Sequence, residues 1–438
     1  MTCDTSYDVI VIGGGPAGLA AALSARAEGN VRVLLIERND SLGGILPQCI
    51  HNGFGAVIFG NDLPGPEYAY RYQEQVEAAD IDVMLDTMVM DLTPERDLYA
   101  MNATHGYLHY RPRSIILAMG CRERTRAQIR LPGSRCSGVY TAGTVQRLVN
   151  IEGYMPGRRF LILGSGDIGM IMARRLTIEG AEVVGVLELL PFLTGLRRNF
   201  VQCLQDYNIP LHLSTTVSNI IGGQRLEAVE TVKVDEELQP IPGSTERIEC
   251  DSLLLSVGLI PENELSLKAG VHLDPRTGGP LVDSTMATDV PGIYAAGNVT
   301  SIYDLVDYVS KAGEVAGRHA ARYALEHGTG NGNNATAGRD ASKAGAMVAI
   351  RPGENVGTVI PQRVRIDTSG NEEVTLMLRP NALIERKVTV ELWDGDRPIM
   401  SFRENYSRPA EMMVHTLRAK QMQALAEAHE HELTVVIQ

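Results

Sequence analysis

The stretch VIVIGGGPAGLAAAL, residues 9–23, sets three glycines between an apolar run and a run of small residues. An apolar run followed directly by Gly13-x-Gly15-x-x-Gly18 predicts a buried strand, a tight turn and a helix. A further apolar run, VRVLLIE, ends at Glu37 and predicts a second strand. Taken alone, the glycine pattern is a weak signal, because it also occurs in loops that bind no ligand.

The same arrangement returns later in the chain. The run RRFLILG leads into Gly164-x-Gly166-x-x-Gly169, a helical stretch follows, and the run AEVVGVLE ends at Glu188. The first glycine and the acid are separated by 37 − 13 = 24 residues in one copy and by 188 − 164 = 24 in the other. Two copies with equal spacing indicate one structural unit that is used twice.

Each part of this unit has a physical reason. The first glycine permits the sharp turn, the second lets the backbone approach a pyrophosphate, and the third lets the helix pack closely on the sheet. The first N–H groups and the dipole of the helix attract phosphates, and the carboxylate accepts hydrogen bonds from ribose hydroxyls. The sequence therefore predicts an α/β fold with two Rossmann-like dinucleotide-binding domains.

Three later segments predict strands that end beside a ligand. SIILAMG (114–120), SLLLSVG (252–258) and GIYAAGN (292–298) are apolar runs that end at or just beyond a glycine, as parallel strands at a binding edge do. A helical pattern covers 305–325, and Asp304 is its expected N-cap.

The chain changes character after residue 328. Residues 329–346 are rich in Gly, Asn, Ala and Ser, which is linker composition. From 347 to 438, alternating apolar residues and the Asp394-Gly395 pair predict a small antiparallel β-domain. The predicted organisation is a discontinuous first domain (1–122 and 285–328), an inserted domain (123–284), the linker and the β-domain.

Composition disfavours several functions. The 438 residues carry a net charge of −13 and contain no basic block, which argues against nucleic acid and anionic membranes as partners. No stretch reaches 18 clean apolar residues, so no membrane span is predicted. The six cysteines form no C-x-x-C and no metal-binding pattern with the histidines, which favours a reducing cytoplasm and predicts no metal site.

These motifs resemble a known family. The ordered set is GGGPAG (13–18), AMG (118–120), GSGDIG (164–169), SVGLIPEN (256–263) and GIYAAGN (292–298). It resembles the two-dinucleotide-fold flavoprotein oxidoreductases, the thioredoxin-reductase-like branch of the pyridine nucleotide–disulfide oxidoreductases, over about residues 5–328. The C-x-x-C of thioredoxin reductases is absent, and Asn298 stands where the family usually has an acid.

Shorter phrases are similar to a narrower group. They are GGILPQCIHNGFG (43–55), MGCRERTR (119–126) and TAGTVQRLVNIEGYMPG (141–157). They look closest to the FAD/NAD-binding partner oxidoreductases of glycerol-3-phosphate, amine or proline dehydrogenase assemblies. The β-domain at 347–438 also resembles that group.

The resemblance implies FAD in the first domain and a nicotinamide dinucleotide in the inserted one. Asn298 would reach the ribityl chain, and the helix at 305–325 would direct its N-terminus at the flavin N1–C2=O edge. Glu188 disfavours a 2′-phosphate, so NADH is preferred, while Arg197 and Arg198 keep NADPH open. The expected cofactor-binding residues are Gly13, Gly15, Pro16, Ala17, Gly18, Glu37, Arg38, Gly44, Gly120, Gly164, Gly166, Asp167, Ile168, Gly169, Glu188, Gly258, Gly297 and Asn298.

Cys49 and His51 are the candidate catalytic residues. Cys49 lies twelve residues past Glu37, near the place where some members of the resembled family carry a redox cysteine beside the flavin. The competing interpretation is a small buried thiol for Cys49 and a loop histidine bonded to backbone for His51.

Three functions are compatible with the sequence. The first is a FAD-dependent oxidoreductase that transfers hydride between NADH and FAD and passes electrons to or from a partner dehydrogenase subunit. The second is a stand-alone NADH oxidase or peroxidase that uses Cys49. The third is a non-catalytic FAD-containing scaffold whose β-domain is a docking module. A homodimer is left open in each case.

Overall fold

The computed structural model describes residues 3–327, 346–366 and 373–438. The α-helices in these ranges are α1 (Pro16–Ala27), α2 (Gly65–Ala78), α3 (Ala142–Asn150), α4 (Asp167–Ile178), α5 (Arg197–Asn199), α6 (Glu264–Lys268), α7 (Val306–Glu326) and α8 (Ala419–Ala426). None of the helices in the described ranges is both long enough and apolar enough to cross a bilayer.

The strands are short, as is usual where many turns join them. They are β1 (Val9–Ile12), β2 (Val33–Ile36), β3 (Asn52–Phe54), β4 (Leu63–Pro64), β5 (Asp82–Met84), β6 (Thr87–Leu92), β7 (Leu98–Asn102), β8 (Gly106–Tyr110), β9 (Ser114–Leu117), β10 (Cys121–Glu123), β11 (Val139–Thr141), β12 (Arg159–Leu163), β13 (Glu182–Leu187), β14 (Leu211–His212), β15 (Thr215–Gly222), β16 (Leu226–Lys233), β17 (Glu246–Glu249), β18 (Ser252–Leu255), β19 (Leu259–Pro261), β20 (Ile293–Ala295), β21 (Met347–Pro352), β22 (Val356–Ile360), β23 (Arg363–Arg365), β24 (Val374–Pro380), β25 (Val388–Asp394), β26 (Arg397–Glu404), β27 (Met413–Leu417) and β28 (Glu432–Ile437).

The first apolar runs of the sequence form one parallel sheet. Its strand order is β20-β9-β1-β2-β5, and all neighbours are parallel. The central strands are wholly buried, as expected for a parallel sheet that is covered on both faces. The small residues of α1 are buried because α7 packs closely on them: a side chain at Gly317 would come within 2.1 Å of the Ala21 carbonyl oxygen.

A second parallel sheet repeats this plan. Its order is β11-β18-β12-β13-β14, again with parallel neighbours. Helix α4 joins β12 to β13 just as α1 joins β1 to β2. The segments predicted to be strands at a binding edge are found as β9, β18 and β20, so the predicted α/β class with two Rossmann-like folds is confirmed.

The chain divides into two compact units. The first unit comprises Met1–Pro47, Asn52–Cys121 and Pro261–Gln438, and the inserted unit comprises Gln48–His51 and Arg122–Ile260. The inserted unit therefore ends before residue 284, its predicted boundary. It also includes Gln48–His51, which lie within the predicted bounds of the first domain.

The C-terminal residues belong to the first unit. They form the sheets β23-β21-β28-β25-β26 and β22-β24-β27, and the predicted hairpin turn at Asp394-Gly395 joins β25 to β26. Most of the apolar residues of these strands share a core of their own. Ile360 and Met377 instead join the core of the first dinucleotide fold. The predicted linker falls almost entirely in residues 328–345, outside the described residues.

Helix α7 begins differently from the prediction. Its N-cap is Leu305, which makes no side-chain capping bond. Asp304, the expected cap, pairs with Arg379 of β24 and accepts a hydrogen bond from the Met412 backbone N–H at 2.5 Å. The predicted N-cap is therefore wrong, because a long-range ion pair takes the carboxylate.

Candidate dinucleotide-binding sites

The first glycine loop has the geometry that its three glycines predict. Gly13 has φ +107°, and a side chain there would lie 2.4 Å from the Ala118 carbonyl oxygen. A side chain at Gly18 would lie 1.8 Å from the Gly13 carbonyl oxygen. Only glycine therefore lets strand β9 and helix α1 approach the turn this closely.

The second loop repeats these contacts. Gly164 has φ +102°, and a side chain there would lie 2.0 Å from the Ser256 carbonyl oxygen. A side chain at Gly169 would lie 2.7 Å from the Gly164 carbonyl oxygen. The two copies are related by a constant offset, since 164 − 13 = 151 and 188 − 37 = 151.

The middle glycine of each loop faces open space. A side chain at Gly15 would meet, among the described residues, only the Gly44 Cα at 3.8 Å. At Gly166 it would meet Ser256 atoms no closer than 3.6 Å. Gly15 and Gly166 are also the N-caps of α1 and α4, and neither helix has a side-chain cap. The first-turn N–H groups are thus left for an anion, which fits the pyrophosphate of a dinucleotide.

Glu37 is buried at the end of β2 and is held by backbone donors. Its Oε2 accepts the Gly14 N–H at 2.7 Å, and its Oε1 accepts the Asn39 N–H at 2.9 Å. Each oxygen therefore keeps one lone pair for a further donor such as a ribose hydroxyl.

Glu188 is buried at the end of β13 and has the two equivalent backbone bonds. Its Oε2 accepts the Ser165 N–H at 2.9 Å, and its Oε1 accepts the Leu190 N–H at 3.0 Å. Two hydroxyls are added: Ser165 Oγ donates to Oε2 at 2.6 Å, and Thr194 Oγ1 does so at 2.8 Å. Neither hydroxyl is among the sequence-predicted site residues.

The loop after Glu188 packs on the second glycine loop. Asp167, the first residue of α4, uses Oδ1 to accept the Leu196 N–H at 2.8 Å and the Asn199 Nδ2 at 2.7 Å. Asp167 therefore acts as an anchor for the loop. Arg197 and Arg198, in the short helix α5 that follows this loop, are exposed.

The other predicted cofactor residues lie near the two loops or at neighbouring strand ends. Gly44 has φ +60°, and a side chain there would lie 3.0 Å from the Gly15 Cα. Gly120 and Gly297 follow β9 and β20, which are neighbours in the first sheet. Gly258 follows β18 of the second sheet. The remaining ones are Pro16, Ala17 and Ile168 in the first turns of α1 and α4, and Arg38, which is exposed.

Asn298 has two partners. Its Oδ1 accepts the Tyr303 N–H at 3.1 Å, and its Nδ2 donates to the Cys121 Sγ at 3.6 Å. Cys121 is not among the sequence-predicted site residues, yet the fold brings it to Asn298 because β9 and β20 end side by side.

Asp307 is a buried acid that is not among the sequence-predicted site residues. It lies in the first turn of α7, where its Oδ1 accepts the Ile58 N–H at 2.9 Å and its Oδ2 accepts the Gly55 N–H at 3.2 Å. A carboxylate at this position partly offsets the positive end of the helix dipole. The expected effect of α7 on a bound flavin is reduced accordingly.

Cys49 is a buried thiol within the inserted unit. It donates to Gln146 Oε1 of α3 at 3.8 Å, and burial raises the pKa of the thiol to about 12. Gln48 Nε2 bonds the same oxygen and the Gly143 carbonyl oxygen, each at 3.0 Å. This environment opposes the thiolate that redox chemistry needs. His51 is half-buried.

One acid–histidine–cysteine group has ligand atoms within 4.8 Å of one another: Cys3, Asp97 and His109. Arg111 Nε donates to Asp97 Oδ1 at 2.8 Å, and its Nη2 pairs with the other oxygen. His109 Nε2 lies 2.7 Å from Asp97 Oδ1. The Arg111 hydrogen bonds hold the pKa of Asp97 below its usual value. We assign this group to an ion-pair network, because a guanidinium already neutralises the carboxylate.

Two curated relatives resemble the dinucleotide folds. The chain is 29% identical over 308 residues to an alkyl hydroperoxide reductase subunit of Pseudomonas aeruginosa, and the match covers 69% of this chain and 55% of that protein. It is 28% identical over 342 residues to an opine oxidase subunit of Agrobacterium tumefaciens, and the match covers 73% of this chain and 65% of that protein. The chain thus matches less than two thirds of the length of either relative.

A solved structure shares the fold. The crystal structure of T. acidophilum thioredoxin reductase has a TM-score of 0.60 and 23% identity, and the match covers 74% of this chain and 100% of that one. At this identity the likeness concerns the fold alone.

The family assignment rests on the sequence. A family profile described as pyridine nucleotide-disulphide oxidoreductase matches residues 7–324, which include both glycine loops. Proteins of this family bind FAD and use NAD(P)H, so the predicted enzyme class and cofactors are confirmed at that level. The chain belongs to the pyridine nucleotide-disulphide oxidoreductase family.

Proposed function

We propose that this chain transfers hydride between NADH and FAD and passes electrons to or from a partner dehydrogenase subunit. The observation that carries the proposal is the pair of glycine loops, each followed at the same spacing by a buried carboxylate. One loop serves a resident FAD, and the other serves a nicotinamide dinucleotide.

The first unit contributes the FAD site. Gly15 and the first turn of α1 bind the pyrophosphate, and Glu37 accepts from the ribose of the ADP half. Asn298 follows β20 and contacts the ribityl chain through its amide, which Tyr303 and Cys121 orient. Bound FAD supplies the hydride-accepting ring, whereas these residues bind and orient it.

The inserted unit contributes the nicotinamide dinucleotide site. Gly166 and the first turn of α4 bind the pyrophosphate, and Glu188 accepts from the adenosine ribose. A buried carboxylate at this position repels a 2′-phosphate, which supports NADH over NADPH. The exposed Arg197 and Arg198 are the residues that would favour NADPH.

Electron transfer through a cysteine thiol of this chain is disfavoured. The two cysteines closest in sequence, Cys121 and Cys136, are 136 − 121 = 15 positions apart, and none of the six cysteines, all of which lie in the described ranges, forms a disulfide. The buried Cys49 has a raised pKa, which argues against a stand-alone peroxidase that uses it. We therefore favour transfer of the electrons to another protein, and the opine oxidase relative is itself named as one subunit of an enzyme.

The test is anaerobic mixing of the FAD-loaded protein with NADH. We expect the flavin absorbance band to bleach on mixing. A persistent band would contradict both the partner-dehydrogenase and the oxidase hypotheses, and it would favour the non-catalytic FAD-containing scaffold. Oxygen and peroxide are then added to the reduced protein. Slow reoxidation by both supports a protein acceptor, whereas fast peroxide turnover that Cys49→Ser abolishes would establish the peroxidase instead.

A further inference from the structure

We infer that Ser165 and Thr194 are positioning residues that fix Glu188 for the ribose of NADH and against the 2′-phosphate of NADPH. The inference rests on the proposed function, because it takes the second glycine loop as the nicotinamide dinucleotide site. It goes beyond that function by assigning coenzyme selectivity to two hydroxyl groups that act through a third side chain.

The hydrogen bonds form a directed network. Thr194 N–H donates to Ser165 Oγ at 3.1 Å, and Ser165 Oγ donates its single proton to Glu188 Oε2 at 2.6 Å. Thr194 Oγ1 donates to the same oxygen at 2.8 Å. The two hydroxyl oxygens lie 3.1 Å apart, and since each proton is directed at Glu188, both hydroxyls act as donors to the carboxylate.

The count of donors separates the two oxygens of Glu188. An ionised carboxylate offers about two acceptor sites on each oxygen. Oε2 already has three donors: the backbone N–H and Oγ of Ser165, and Oγ1 of Thr194. Oε1 has one, the Leu190 N–H. A ribose hydroxyl would therefore find its acceptor at Oε1.

The first copy provides the comparison. Gly14 and Gly43 occupy the positions equivalent to Ser165 and Thr194, since 165 − 14 = 151 and 194 − 43 = 151. Glu37 thus keeps its two backbone donors and lacks both hydroxyl donors. The hydroxyls are an addition to the second copy and are not required for the loop itself to form.

A fixed carboxylate discriminates more strongly than a mobile one. Ser165 is fully buried and Glu188 is 5% exposed, so the carboxylate cannot turn toward water when a phosphate approaches. Like charges held together in a poorly solvated site repel strongly, and this repulsion provides specificity against the wrong ligand. If the hydroxyls are removed, Glu188 keeps only the two backbone donors, Ser165 N–H and Leu190 N–H, so its carboxylate is held less firmly, which weakens the contact to ribose and reduces the repulsion.

The test measures the dissociation constants of NAD⁺ and NADP⁺ by calorimetry on the oxidised FAD-loaded protein. We expect Ser165→Gly and Thr194→Val each to lower the preference for NAD⁺ over NADP⁺ by about tenfold, the size of one hydrogen bond to a charged group. Thr194→Ser retains the donor and should keep the wild-type preference. With NADH as substrate, KM should rise while kcat for flavin reduction stays unchanged.

Thr177→Val is the matched control. Thr177 lies on the same helix α4, and its hydroxyl donates to the Ala173 carbonyl oxygen at 2.9 Å, so its loss should leave the preference unchanged. An unchanged preference in Thr194→Val would overturn the inference, as would an equal change in Thr177→Val. Thr194 is only half-buried, so Thr194→Val should fold. It therefore tests the inference even if Ser165→Gly does not fold.

The positioning role and the proposed function can fail separately. If NADH does not reduce the flavin of the wild-type protein, the proposed function is wrong, and the binding of NAD⁺ and NADP⁺ still tests Glu188. If NADH reduces the flavin and the preference for NAD⁺ over NADP⁺ is unchanged when either hydroxyl is removed, only the positioning role is wrong.

Discussion

Arg379 forms an ion pair with Asp304 and so ties strand β24 to the residue just before helix α7. The same guanidinium donates to the Ile302 carbonyl oxygen at 3.0 Å and to the Pro409 carbonyl oxygen at 2.9 Å. The C-terminal sheets are thereby fastened to the loop that runs from Asn298 into α7. A domain held in this way contributes to the stability of the first dinucleotide fold.

Arg379→Met should lower the free energy of unfolding by about 2 kcal/mol, because it removes the guanidinium that pairs with a largely buried carboxylate. Arg351→Met is the matched control in the same domain. Its partner is Glu432 at 2.6 Å, and both side chains are at least half exposed, so the loss should stay below about 1 kcal/mol. Urea unfolding of both variants checks this, and equal losses would contradict it.

Cys49 should resist alkylation at pH 8. Burial raises its pKa to about 12, and the same holds for Cys250, so almost no thiolate is present. Cys3, Cys121 and Cys136 are only partly buried and should react before the three buried cysteines. Mass spectrometry after timed iodoacetamide treatment measures the order, and early modification of Cys49 would restore it as a redox candidate.

Glu37→Gln and Glu188→Gln form a matched pair at equivalent positions. Glu37→Gln should reduce the FAD retained on purification, whereas Glu188→Gln should retain FAD and raise the KM for NADH by about tenfold or more, since each loses a charged acceptor. Absorbance spectra and steady-state kinetics separate the two effects. If both variants lose FAD alike, the assignment of one cofactor to each loop is wrong.

The C-terminal domain should lose stability in acid through His415. This side chain is 7% exposed, stacks on Phe402 with ring centroids 4.3 Å apart, and burial lowers its pKa to about 4. The unfolded chain takes up a proton below about pH 6.5 while the folded chain stays neutral, so stability is complete above pH 6.5 and falls by about 3 kcal/mol toward pH 4.

His415→Phe should remove this slope, and His105→Gln, at an exposed position, should keep it. Glu404 lies 3.8 Å from His415, and burial raises the pKa of its carboxyl. It therefore acts in the opposite direction, favouring the folded state as it protonates, and Glu404→Gln should steepen the loss. Urea unfolding between pH 4 and 7.5 measures how the free energy of unfolding depends on pH in all three variants. If His415→Phe keeps the wild-type pH dependence, His415 is not its cause.

The features that the sequence predicts well are local. The glycine loops, their strands and the Asp394-Gly395 turn depend on residues within about a dozen positions, so pattern and spacing are sufficient. Asp304 is misassigned because its partner, Arg379, is 379 − 304 = 75 positions away. Likewise, Gln146 lies 97 positions from Cys49, and no periodicity in the sequence joins them.

Two residues of the second site, Ser165 and Thr194, could be predicted from the sequence, although the glycine motif alone does not identify them. Ser165 lies inside the second glycine motif, and Thr194 is six residues past Glu188. Both emerge when the two copies are aligned at their offset of 151, because each replaces a glycine of the first copy. The signal is a difference between the repeats, whereas the motif records only their similarity.

The constant offset of 151 residues also bears on ancestry. The same register is kept from Gly13–Gly164 through Glu37–Glu188 to Gly44–Gly195, which is the pattern expected of a duplication of one coding segment. Under the proposed function the two copies meet different demands, because FAD stays bound to the first whereas a nicotinamide dinucleotide must leave the second. Each copy is therefore a template for engineering the other, and exchanging single residues across the offset can transfer one trait at a time.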